Sequence, residues 1–311
     1  MRYNDKVVKK SKPKAAAATT GLIIANILAG IYTPFIKYSL RFMPLYNFAL
    51  IRHAGPAILI APFMITRWKP IKRKDLLLSI LCGLLLYCGA NLFVYLGLQR
   101  TSSINTALIL MLEPVLLFVF SVELMRERFK KKIFGGLLIA FFGSAVIILG
   151  PTLGKTSLTA GNLAGNLFIV AAVGCSVVSV WLMKYLTRRV PTLQVLFIGL
   201  VAATSVYFVL ALPTIKDMSA LNNSVVLFSA LYGVVAVGLL SYWLLYWCLK
   251  TLGGQEYSLV MYVEPTVTAL VAFLFFKESF TSITLIGVVI VFIGVWLAEI
   301  KIHHHSHVRS K

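Results

Sequence analysis

From Thr19 to the end of the chain, stretches of about twenty apolar residues follow one another with only short polar breaks between them. A run of that length is what a helix needs to cross the ~30 Å hydrocarbon core of a bilayer. With 59% of residues apolar and 13% charged, the chain cannot be arranged as a soluble globule with a mostly polar surface. The breaks place spans near 18–40, 44–66, 75–98, 103–124 and 132–150, then near 163–186, 191–212, 224–249, 255–276 and 280–300. In hydrocarbon every backbone N–H and C=O must be satisfied within its own segment. These runs are also too long and too evenly apolar to be barrel strands. The expectation is an all-α polytopic membrane protein with ten transmembrane helices, its surroundings the lipid bilayer.

The net charge of +20 would suggest a nucleic-acid partner in a soluble protein. Its distribution argues otherwise. With the N-terminus inside, one side collects the tail from Arg2 to Lys14, Arg67 to Lys74, Arg126 to Lys132, Lys184, Arg188, Arg189, Lys250 and the far C-terminal residues. The other side holds Lys37, Arg41, Arg100, Lys155, Lys216 and Lys277, and Arg52 alone lies inside a span. That asymmetry sets membrane orientation and predicts both termini to be cytoplasmic, with no nucleic-acid partner. Cys82, Cys88, Cys175 and Cys248 all fall in apolar stretches and read as small hydrophobes. The small-residue cluster Ala15 to Ala18 precedes the first span, the opposite of a signal-peptide cleavage order, so that span is expected to be retained.

Residues 91–149 lie over 242–300 at a constant offset of 151. Tyr95 falls on Tyr246, Glu113-Pro114 on Glu264-Pro265, Glu127 on Glu278, Gly136 on Gly287 and Gly143 on Gly294. Near the start of each half, Lys37-Tyr38, Arg41 and Pro44 match Lys184-Tyr185, Arg188 and Pro191 at an offset of 147. The chain is therefore two five-helix repeats. Five is odd, so the second repeat enters the membrane from the opposite side and the halves form an inverted pair. The charges agree: the basic loop Met125 to Lys132 has lost nearly all its Lys and Arg in the equivalent stretch around Lys277 and Glu278. The boundaries read as a basic tail 1–17, a first repeat 18–150, an external loop 151–162, a second repeat 163–300 and a tail 301–311. An inverted repeat supplies two related arrangements, one open to each side, with a substrate held between the halves near the midplane.

On the ending of each half, Glu113-Pro114-Val115 through Glu127 to Gly136 and Gly143, and Glu264-Pro265-Thr266 through Glu278 to Gly287 and Gly294, the chain resembles the EamA branch of the drug/metabolite transporter superfamily over roughly 18–300. The resemblance implies two EamA repeats, a central cavity lined by the first four helices of each half, and the fifth and tenth helices at the periphery. It does not name a substrate: members of the family carry amino acids, other metabolites, quaternary amines or toxic compounds, usually outward. With the inverted repeat, the expectation is alternating-access transport of a small organic metabolite across the cytoplasmic (inner) membrane, an amino acid or related amine, with export favoured. A passive channel or pore, or a non-transporting membrane interaction protein, are the alternatives.

Candidate residues follow from the cost of polarity at depth. Glu113 and Glu264 sit near mid-bilayer and read as proton-coupling or cation-attracting groups. Structurally, each could instead satisfy the carbonyl, of Leu110 or Met261, that Pro114 or Pro265 frees. Arg52, followed by His53, needs a carboxylate, a carbonyl or water; Glu113 or a substrate carboxylate would serve. Tyr87, Asn91 and Tyr95 on the third span, and Tyr242, Trp243 and Tyr246 on the eighth, offer polar-tipped aromatics to a ligand. Trp247 and Tyr257 suit an interfacial belt. Asn26 and Thr33, with Gly30 and Lys37, line one face of the first helix as a pathway wall. Gly136, Ala140 and Gly143, like Gly287 and Gly294, suit helix packing or a homodimer, leaving monomer and homodimer both open. Glu127 and Glu278 suit a structural or gating salt bridge. The histidines at 303–305 and 307 are weak metal ligands in a short tail. No nucleotide loop, zinc spacing or nucleophile elbow occurs, so neither an enzyme, a metal site nor a cofactor is expected.

Overall fold

The computed structural model describes residues 12–98, 100, 106, 109–149, 163–215, 218–276 and 282–300, and helices fill nearly all of them. The 151–162 loop, Glu278 and the histidine tail lie outside the described residues. The helices are α1 (Lys12–Ser39), α2 (Leu45–Arg67), α3 (Arg73–Gly83), α4 (Asn91–Leu98), α5 (Leu112–Glu123), α6 (Lys131–Leu149), α7 (Leu163–Leu186) and α8 (Thr192–Ala211). They continue with α9 (Ser224–Tyr232), α10 (Tyr242–Thr251), α11 (Gly254–Val260), α12 (Val263–Phe276) and α13 (Ser282–Ile300). Wider π-helical turns, Leu84–Ala90 and Gly233–Ser241, join α3 to α4 and α9 to α10 into two long rods. Among the described residues there is no strand. These helices fall on all ten predicted spans, and seven of the rods satisfy both length and hydropathy for crossing a membrane.

The repeat seen in the residues returns in the backbone. Pro44 and Pro191 start their helices with nearly the same dihedrals, φ −53° and ψ 135° against φ −53° and ψ 134°. Shifted by 151, the first π segment falls inside the second. Both fourth helices also break at matching places, at Met111 before α5 and at Met261–Tyr262 between α11 and α12. Pro114 and Pro265, each three residues past its break, cannot donate the i→i−4 bond, which is why the helices restart there. The two breaks meet: the Tyr262 hydroxyl donates to the Met111 carbonyl at 3.0 Å.

The helices divide into two groups. Both α6 and α13 cross through Gly136 against Gly294 and Gly143 against Gly287, so closely that a Cβ on Gly143 would lie 2.7 Å from the Val291 backbone nitrogen. The glycine stripes thus pack within one chain, around a small core of their own that includes Ile133, Leu137 and Val291. Their outer faces are apolar and open, as at Phe142 and Trp296. The other helices surround the main core. Cys82, Cys88 and Cys248 are buried and Cys175 half-buried, all unpaired.

Gly143→Leu should force α6 and α13 apart at a cost of about 1–3 kcal/mol and lower the melting temperature of purified protein. Gly135→Leu, where an added Cβ meets nothing within 4 Å, should leave it unchanged. Equal melting of the two variants would show that the crossing tolerates bulk.

Candidate functional site

A cation inside an apolar bundle gathers whatever polarity is in reach, since a bare Arg at a span's centre costs ~3 kcal/mol or more. Arg52, seven residues into α2 and therefore about 10 Å along it, is 7% exposed. Its guanidinium donates to the Tyr95 hydroxyl at 3.0 Å and the Tyr242 hydroxyl at 2.9 Å, and it lies over the Tyr32 ring, 5.1 Å from the centroid. Its Nε is buried with no partner. Gly233 leaves space for Tyr32 there, since a Cβ would sit 2.2 Å from the Tyr32 hydroxyl oxygen. A second aromatic layer adjoins. His53 shares a 2.7 Å bond with the Ala49 carbonyl through Nδ1 and stacks on Tyr207, while its Nε2 has no partner. Tyr207 donates to the Tyr87 carbonyl at 2.8 Å, and the Tyr87 hydroxyl donates to that of Tyr246 at 3.2 Å.

Two carboxyls lie at the helix breaks, and Glu264 adjoins this cluster. Glu113 and Glu264 occupy the second position of α5 and α12, just past the two breaks, and both are half-buried. Glu264 is ten residues beyond Gly254, about 15 Å along the rod and so near its middle. The Glu113 carboxylate accepts from the Ser176 hydroxyl. Glu264 lies beside Thr33 and interacts electrostatically with Arg52, and the two carboxyls interact with each other. Each carboxyl also sits where the helix dipole favours negative charge.

These contacts correct two expectations. Glu113 is not the partner of Arg52: among the described residues no carboxylate comes within 4.0 Å of the guanidinium, because the break turns Glu113 toward α7 and phenol hydroxyls take the donors. Nor does Glu264 serve the carbonyl freed by Pro265. The Met261 carbonyl accepts from the Glu264 backbone N–H at 3.2 Å, and the side chain is left over.

Other candidates divide. Tyr87, Tyr95, Tyr242 and Tyr246 join the Arg52–His53 cluster; Asn91 bonds to the Tyr87 carbonyl of its own rod at 3.2 Å. Trp243 is outside the cluster, 38% exposed and stacked on Trp247. On α1, Asn26 is buried and bonded to the Leu22 carbonyl, whereas Thr33 and Lys37 are exposed. Tyr257 is buried rather than in an interfacial belt. Sequence reasoning missed Tyr32, Tyr207 and Ser176, which fall in apolar stretches outside the repeat matches.

A second polar cluster ties the repeats together at the end of the bundle that carries most of the Lys and Arg. Arg126 takes a left-handed turn, φ 53°, after α5 and aims Glu127 at the start of α11. There the Glu127 carboxylate accepts from the Gly254 N–H at 2.8 Å and the Gln255 N–H at 3.3 Å, and pairs with Lys184, which is 6% exposed. The Gln255 side chain accepts from the Lys130 N–H at 3.0 Å and donates to the Arg128 carbonyl at 2.9 Å, and Lys130 pairs with Glu256. A carboxylate on a helix N-terminus is favoured by both the orphan amides and the dipole.

Residues 17–149 and 163–299 each match the EamA-like transporter family. The chain belongs to that family. It is an integral, multi-pass membrane protein with two EamA repeats. Among its relatives, an uncharacterized transporter of Bacillus subtilis (strain 168), YetK, is 24% identical over 92% of this chain and 85% of its own length. Another from the same organism, YyaM, is 26% identical over 73% of this chain and 74% of its own. A solved crystal structure shares the fold with a TM-score of 0.75 at 16% identity, covering 91% of this chain and 98% of the other.

Ser176→Ala should leave Glu113 without its donor and destabilise the protein by about 1–3 kcal/mol. A double-mutant cycle with Glu113→Gln should return a coupling energy above about 0.5 kcal/mol; additive melting shifts would mean that the contact contributes nothing.

Proposed function

We propose that this EamA-family protein is a secondary transporter that moves a small organic metabolite, an amino acid or related amine, across the cytoplasmic membrane by alternating access, with export as its direction. The observation that carries this reading is the pair of carboxyls, Glu113 and Glu264, at facing helix breaks of two inverted repeats, with Glu264 near the buried guanidinium of Arg52. Breaks at mid-depth are costly in lipid and are tolerated where they line a cavity. Half-helix ends with polar side chains at the centre of an inverted repeat suit a site reached from either face in turn. Protons serve as coupling ion, since a carboxyl half-buried between the halves can load and release one as the site changes sides.

The Glu127 cluster supports an end that closes. It joins the loop after α5, in the first repeat, to α7 and α11 of the second, and its contacts are charged and mutually satisfying. Thr33 and Lys37 at the opposite end of α1 are exposed. We take both termini to be cytoplasmic on the strength of the basic residues at the closed end. The state described is then shut toward the cytoplasm.

Counterflow into proteoliposomes tests the reading, using ligands found by thermal shift. Exchange should be saturable and stimulated by internal substrate, and Glu113→Gln and Glu264→Gln should each slow it at least tenfold. Linear, unsaturable flux would instead identify a pore, and binding without flux would remove the transporter reading.

Glu127→Gln should release the closed end. A cysteine introduced at Ser258, fully buried on α11, in a background lacking the four native cysteines should label severalfold faster in that variant. Unchanged labelling would show that the cluster is structural only.

A further inference from the structure

We propose that Arg52 is the receptor for a substrate carboxylate, so that the cargo is a carboxylic acid, zwitterionic amino acids included, and a simple amine is not carried. This rests on the transporter reading and narrows it.

A guanidinium has five N–H donors. Two go to the hydroxyls of Tyr95 and Tyr242, while Nε–H is buried with nothing to accept it. Nε–H together with a terminal N–H is the side-on fork that a carboxylate occupies with two parallel bonds. The phenols carry no charge, and among the described residues no carboxylate lies within 4.0 Å, so the guanidinium has neutral acceptors and no direct ion pair. Tyr95 and Tyr242 also complete the site. Each hydroxyl accepts from Arg52 through a lone pair and keeps its own O–H proton to donate to an incoming oxyanion. A carboxylate adds its own charge and a two-bond geometry to donors that now meet only neutral oxygens.

The surroundings select the kind of anion. Arg52 is the one Lys or Arg within the middle of a spanning helix among the described residues, so it neutralises a single negative charge. A phosphate dianion would retain a negative charge beside Glu264, which already interacts with Arg52. The same Glu264, half-buried next to Thr33, suits the ammonium end of a zwitterion whose carboxylate sits on Arg52. The ring of Tyr32 lies against the guanidinium as a cation–π partner, its centroid 5.1 Å away.

The test uses the full chain purified in detergent and matched probes differing only at the acid. These are leucine against leucinamide, phenylalanine against phenylalaninamide and benzoate against benzamide, with putrescine and choline as pure amines. Thermal shift should show at least one acid binding tenfold or more tighter than its amide, and no response to the amines. Arg52→Lys should weaken the acid about a hundredfold. Tyr95→Phe and Tyr242→Phe, which keep the ring and the fold, should each weaken it severalfold without reversing the preference.

An amide that binds as well as its acid, binding confined to the amines, or no acid in the set shifting the melting temperature overturns the proposal. The acid–amide comparison needs no variant, so it holds even where Arg52→Lys fails to fold. Counterflow separates the two readings. Acid-selective binding without exchange would remove the transporter and keep the carboxylate site, and saturable exchange of an amine would do the reverse.

Discussion

A helix that breaks inside hydrocarbon exposes carbonyls and amides that lipid cannot satisfy, so the protein has to bring partners to the break. Here each break is brought to the other. Pro114 and Pro265 interrupt the same helix of each repeat, and the hydroxyl of Tyr262, one repeat length from Met111, bonds the Met111 carbonyl. The remaining geometry depends on this pairing. It sets α5 and α12 with their N-terminal ends at mid-depth, places Glu113 and Glu264 at those ends, and leaves their side chains free of backbone duty. Arg52 then lies near Glu264 without a direct ion pair, its guanidinium bonded to phenols.

Much of this arrangement is legible in the residues. Among the described residues most span limits follow from hydropathy to within a few positions, because a bilayer sets a narrow range of lengths for a crossing, with α1 beginning earlier, at Lys12. The inverted repeat follows from two constant offsets and an odd helix number. The glycine faces follow from residue size, although only the structure decides that Gly136 and Gly143 serve the crossing of α6 with α13 within one chain. Arg52, Glu113 and Glu264 stand out because charge at depth is expensive.

What is not legible is pairing across helices, and the reasons are specific. Glu113 and Arg52 are the obvious ion pair on a list of charges, yet a break rotates Glu113 toward Ser176. The π segments shift the face of each long rod and have no residue signature, so Tyr87, Asn91 and Tyr95 at spacing four do not present one uniform stripe. Trp243, beside Tyr242 in sequence, points away from the cluster that Tyr242 completes. Tyr32 and Tyr207 reach the cluster from helices where neither belongs to a repeat match or a polar stripe.

The two ends of the bundle show how near-symmetric residues give unequal structure. Lys184 and Lys37 are repeat counterparts in matching surroundings of sequence, Lys-Tyr followed by Arg and Pro. Lys184 is buried against Glu127 at the N-terminus of α11, whereas Lys37 is exposed. Residue type at these positions therefore does not decide which lysine is buried; the packing of α5 on α11 does, with Gly254 set so tightly on Ser121 that a Cβ would lie 2.7 Å from its side chain. A seal made of ion pairs and capped amides costs little to exchange for water at a membrane surface, while the same groups at mid-depth would have no such alternative. Ion pairs and capped amides thus suit the ends of the bundle, and the cation and carboxyls at the centre rely on protein partners instead.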